Sequence, residues 1–93
     1  MSLVGHGVLL PGQIEYFDVV LTSGVTYQVY VKPTDPTVDF DLYIYDEQNN
    51  LVTWDATPAA DAYCTVTPVW TGPFRLKVTS NRGVSAYGIA VTI

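Results

Sequence analysis

One cysteine, four cationic side chains and no long apolar run limit what this chain can be. Cys64 alone forms no internal disulfide and defines no metal site by spacing; alternating with Val66, it reads as a small buried apolar side chain. Lys32, Arg75, Lys77 and Arg82 are scattered, which excludes the basic patch that nucleic-acid binding needs. The longest aliphatic runs are triplets such as Val8-Leu9-Leu10, whereas a bilayer-spanning helix takes about 20 consecutive apolar residues. No transmembrane helix is expected. A basic leader followed by an apolar targeting core is also missing.

Catalytic signatures are missing too. No Gly-x-Ser-x-Gly elbow occurs, His6 has no Ser or Cys arrangement around it, and Gly5-His6-Gly7 is too short for a phosphate loop. A small sandwich leaves little room for the cleft that a carboxylate-pair glycosidase requires. The expectation is a chain that is not an enzyme. Met1-Ser2-Leu3 reads as an expression-derived start, residues 1–11 as an N-terminal segment, and residues 12–93 as one domain.

What is present is apolar. Of the 93 residues 48% are hydrophobic and 14% charged, which excludes a disordered chain and requires a core. Net charge is −5, and Asp35, Asp39, Asp41, Asp46, Glu47, Asp55 and Asp61 fall in a stretch without Lys or Arg. One face should be negative and favour cations over anionic partners.

The apolar pattern has a period of two throughout, and no helical stripe of useful length occurs. Phe40, Leu42 and Ile44 alternate with Asp39, Asp41, Tyr43 and Tyr45, predicting a half-buried strand with an exposed row of carboxylates and phenols. Further inward rows are Phe17, Val19 and Leu21; Tyr27, Val29 and Val31; Cys64 and Val66; Phe74, Leu76 and Val78; and Tyr87, Ile89 and Val91. Ser23-Gly24 predicts an antiparallel hairpin between the first two of these. Seven or eight short strands with regular turn signals give an all-β antiparallel sandwich or barrel.

Two groups of residues are candidates for chemistry. Asp39, Asp41 and Asp46 are closely spaced hard oxygen donors suited to calcium, which takes 6–8 oxygen ligands. The alternative is a structural role, accepting N–H bonds from the Pro33–Thr37 loop. Tyr30, Tyr43 and Tyr45 form an exposed aromatic ligand-binding row if their strands are neighbours, with Trp54 or Trp70 at an edge. The alternative is that these rings lie under loops or cover a second, minor core. Arg75 and Lys77 point outward, available to acids on an adjacent strand.

From about Gly12 to Ile93 the chain resembles the bacterial pre-peptidase C-terminal domain family, which includes the collagen-binding domains of clostridial collagenases. The resemblance is carried by Glu15-Tyr16-Phe17, Ser23-Gly24, Asp41-Leu42-Tyr43-Ile44-Tyr45-Asp46, Thr67-Pro68, Gly72-Pro73-Phe74-Arg75-Leu76-Lys77-Val78 and Tyr87-Gly88-Ile89-Ala90-Val91. It implies a jelly-roll-like sandwich and a secreted, extracellular, non-catalytic accessory domain of an enzyme, commonly a protease. The implied roles are binding a protein or polysaccharide substrate or a surface, or supporting secretion and folding, with the parent enzyme domain as partner.

Calcium in some such domains is held by the sandwich together with acids of an N-terminal linker, yet the first fourteen residues here contain no Asp or Glu. Collagen-binding members present outward aromatics where this chain has Arg75 and Lys77, so collagen binding is not carried over. Pro73 replaces the usual small residue. The alternatives are a structural domain packing on its parent protein and a fibronectin type III-like adhesion module. The latter lacks its early buried Trp here, since the first is Trp54.

Overall fold

The alternating rows fold as strands because each can bury one face only by stacking on another sheet. The computed structural model describes residues 2–93, so Met1 of the expected expression-derived start lies outside the described residues. The strands are β1 (Ser2–Leu9), β2 (Ile14–Leu21), β3 (Tyr27–Pro33), β4 (Asp39–Tyr45), β5 (Leu51–Asp55), β6 (Ala62–Val66), β7 (Gly72–Arg82) and β8 (Ser85–Thr92). They form two four-stranded sheets, β1-β8-β3-β6 and β2-β7-β4-β5, with every pair antiparallel. That order is the eight-stranded jelly roll that the resemblance implies, built from the strands that the period-two pattern predicts.

The core lies between the sheets. Phe40, Leu42 and Ile44 of β4 with Phe74, Leu76 and Val78 of β7 face Val29 and Val31 of β3, Cys64 of β6 and Tyr87 and Ile89 of β8. All are buried, as their alternation requires. Burial pushes the Cys64 thiol up to about 12, aided by the charge of Asp55, so it behaves as an inert core residue.

The hairpin expected at Ser23-Gly24 is corrected. β2 pairs with β7 in one sheet, while β3 pairs with β6 and β8 in the other. Residues 22–26 carry the chain across the sandwich, with Gly24 at φ +78° supplying the left-handed step that glycine takes freely. Two strands facing one core from opposite sheets show the same alternation as a hairpin. Among the described residues only β4 and β5 are both consecutive and paired.

Residues 2–9, within the segment set ahead of the domain by sequence, supply the edge strand β1. Its two glycines face β2 across the sandwich. A Cβ on Gly5 would run into the Phe17 ring, and one on Gly7 would meet Glu15 Oε1 at 2.6 Å. Gly5-His6-Gly7 is thus a steric device, giving β1 a close approach over two large side chains.

Candidate functional site

Cross-strand partners share a sheet face, so the register defines what the outer face of β2-β7-β4-β5 presents. Tyr16 of β2 lies opposite Lys77 of β7, Lys77 opposite Tyr43 of β4, and Tyr43 opposite Trp54 of β5. One row therefore crosses all four strands, three spacings or about 14 Å at about 4.8 Å each. The next row reads Asp18, Arg75, Tyr45 and Leu51.

Cations are laid over the rings. Lys77 Nζ sits 5.1 Å from the Tyr43 ring centroid, and the Arg75 guanidinium carbon 5.3 Å from that of Tyr16. Both distances suit cation–π attraction. Arg75 also makes a two-pronged ion pair with Asp18, Nε to Oδ1 at 2.9 Å and Nη2 to Oδ2 at 3.3 Å. This hydrogen bond holds the Asp18 carboxyl below its ordinary range. Lys77 has no carboxylate partner among the described residues. The face is thus an aromatic strip with one positive charge left unspent.

Tyr30 is not part of that strip. It lies on β3 in the other sheet, 4.8 Å from the Tyr63 ring, with its hydroxyl donating to Gln28 Oε1. The expected row of Tyr30, Tyr43 and Tyr45 is therefore divided between the two outer faces of the sandwich. Tyr43 and Tyr45 stay together, half-buried on β4. Trp54 joins them at the edge, whereas Trp70 stacks on Phe74 away from the row. Tyr16 was not singled out by sequence, although its place outward of Phe17 in β2 was a signal for it.

The carboxylates are also divided. Asp41 is 1% exposed rather than part of an exposed row. It is covered because Asn81 of β7 donates its amide to Asp41 Oδ2. Neither Asp41 Oδ1 nor Asp39 Oδ1, both buried, meets a donor among the described residues. Burial, followed by the charge of Asp39, pushes Asp41 up to about 6; the Asn81 amide opposes this and the charge of Asp55 adds to it.

Asp46 stands at the other end of β4, about 20 Å away at ~3.3 Å per residue. There its Oδ1 accepts the N–H groups of Gln48 and Asn50, each at 2.9 Å, and Oδ2 the Asn50 amide at 3.2 Å. Those bonds, the Asn50 N–H foremost, lower its pKa and close the β4–β5 turn around Asn49 at φ +67°. Asp39 and Asp41 are brought together, and Asp46 is not. Among the described residues no group of three or more His, Cys, Asp or Glu side chains is placed to hold a metal ion. The loop bonds expected for Asp39 and Asp41 belong instead to Asp35, whose Oδ1 accepts the Thr37 N–H at 2.8 Å.

Compared with known proteins, residues 13–80 match the model of the bacterial pre-peptidase C-terminal domain. Among solved structures, the chain is similar to the pre-peptidase C-terminal domain of collagenase from Bacillus anthracis. The TM-score is 0.76 at 15% identity, over 94% of this chain and 85% of that one. No curated protein matches. No helix among the described residues is long and apolar enough to cross a membrane.

Proposed function

The chain belongs to the bacterial pre-peptidase C-terminal domain family, and from that premise we propose a non-catalytic accessory domain of a secreted peptidase. It works outside the cell and holds an extended polypeptide substrate on the outer face of β2-β7-β4-β5. The observation that carries this reading is the row Tyr16–Lys77–Tyr43–Trp54 across the four strands. Half-exposed aromatics bury apolar area while their polar tips stay wet. Lys77 adds a charge for a carboxylate or a run of carbonyls.

A polypeptide is favoured over a polysaccharide by what covers the rings. Sugar stacking needs open ring faces, and those of Tyr16 and Tyr43 carry Arg75 and Lys77. The test is retention on immobilised unfolded protein, with casein and gelatin as probes and a neutral glucan as comparison. Tyr43→Ala and Trp54→Ala should each lose retention on the protein probes, and Tyr30→Ala should keep it. Equal retention by all three would overturn the reading.

Calcium is part of the same proposal. Asp39 and Asp41 are the residues that would hold it, since each has a buried Oδ1 without a donor. Two carboxylates supply at most four of the 6–8 oxygens calcium takes, so water completes the shell. The ion would neutralise the pair. Millimolar calcium should then raise the melting temperature relative to chelator by mass action on the folded state. The effect should vanish in Asp41→Asn.

A further inference from the structure

Beyond the aromatic row, the start of β7 and the β4–β5 turn enclose a cleft of about 410 Å³, a volume within the range of ligand pockets. Pro73 and Phe74 supply its apolar wall, Asp46 and Glu47 one polar side, and the Asp18–Arg75 pair the other. Pro73, Arg75 and Lys77 are alternate residues of β7 and so point to the same side of the sheet. The cleft therefore continues the aromatic face, with Pro73 about 13 Å from Lys77 at ~3.3 Å per residue.

The cleft is left negative. Asp18 and Arg75 cancel each other in their two-pronged pair. Asp46 keeps its charge, because the turn N–H groups it accepts hold its pKa down. Glu47 is exposed and has no cationic partner among the described residues. Its Oε1 and the buried Trp70 Nε1 both flank Gly72, each 3.5 Å from where a Cβ there would stand. Even so, the indole N–H meets no acceptor among the described residues, so Glu47 stays free. Nor do these acids converge on a metal ion, since no group of three among the described residues is placed to hold one. A cation with its own apolar stem fits instead, the stem along Pro73 and Phe74 and the head at Glu47.

We propose that this cleft is a subsite for a Lys or Arg side chain of the polypeptide held on the aromatic row, and so selects its sequence. The inference rests on the binding face proposed above and adds a specificity to it. Lys77, without a carboxylate partner, sets the opposite preference at the other end. A segment lying along β7 brings side chains four residues apart to the two points, because both chains rise ~3.3 Å per residue. The preferred segment thus carries an acidic and a basic side chain at that spacing. The net charge of −5 favours approach of its basic end.

The test is fluorescence anisotropy with labelled, unstructured peptides of about twelve residues, long enough when extended to span the face. One carries Asp and Lys four residues apart; in two others Gln or Glu replaces the Lys. Wild type should bind the Lys peptide at least about threefold tighter than the Gln peptide, the scale of a partly screened ion pair. Glu47→Gln should bring the Lys peptide down to the level of the Gln peptide, and Glu47→Lys should transfer the preference to the Glu peptide. Asp61→Asn, in the exposed loop at the far end of β5, removes the same charge away from the cleft and should keep the preference. Tyr43→Ala should weaken all three peptides alike. Equal affinity for the Lys and Gln peptides would overturn the subsite and leave the aromatic row standing. So would a preference that survives Glu47→Gln, or one that Asp61→Asn abolishes, which would trace it to net charge. Binding of no peptide would remove the aromatic-row reading and the subsite with it.

Discussion

The hydroxyl of Tyr87 donates to Glu15 Oε1 at 2.7 Å, linking β8 of one sheet to the edge strand β2 of the other. The Tyr87 ring is buried edge-on to Phe17 and Phe40, with centroids at 6.3 and 5.6 Å. Burial and the neighbouring carboxylate hold its pKa well above the usual phenol value. Gly7 of β1 leaves the space in which the Glu15 carboxylate turns inward.

Removing that hydroxyl should be costly. Tyr87→Phe leaves the Glu15 carboxylate without its donor, a loss of about 1.5–3 kcal/mol for a hydrogen bond to a charged group. Urea denaturation measures it. Gly7→Ala displaces Glu15 from the same bond, so the double variant should lose clearly less than the sum of the two singles. Strict additivity would mean that Gly7 does not position Glu15.

Stability should depend on pH in an unusual sense. Folded Asp41 titrates at about 6 and its ordinary value is 3.8. Between these values the folded chain binds more protons than the unfolded one, so stability falls as pH rises from about 4 to about 6 and then levels off. The drop is roughly 2–3 kcal/mol. Asp18, Asp35, Asp46 and Asp55 are shifted down and lose their contribution only as pH falls below about 4, outside that window. Melting curves in chelator should show the fall for wild type and not for Asp41→Asn, which should be the more stable protein at pH 7.

Asp46 tests the turn rather than a metal. Asp46→Ala releases three bonds that close the β4–β5 connection, and should lower the melting temperature equally in calcium and in chelator. Asp46→Asn, which keeps an acceptor at Oδ1, should recover most of the loss. A calcium-dependent difference would return Asp46 to the ion site.

Much of the architecture was legible because burial imposes a period of two on every strand. Phe40, Leu42 and Ile44 are inward for that reason, and so are Leu76, Val78 and Ile89. The sheet to which a strand belongs leaves no mark in that period, so β2 and β3 read as a hairpin and Tyr30 was grouped with Tyr43. Asp41 read as exposed because its cover is Asn81, forty residues along the chain. Glu15 and Tyr87 lie 72 residues apart, and nothing local joins them. Trp54 was legible as an edge aromatic, whereas the row through Tyr16 and Lys77 depends on cross-strand register that only the folded sheet defines.

The most direct test is a map of backbone amide shifts in the isotopically labelled domain as an unfolded casein fragment is added. Changes should concentrate at Tyr16, Tyr43, Trp54, Arg75 and Lys77 and leave Tyr30 and Tyr63 on the opposite sheet unmoved. Shifts centred on Tyr30 and Tyr63, or none at saturating peptide, would contradict a binding face on β2-β7-β4-β5.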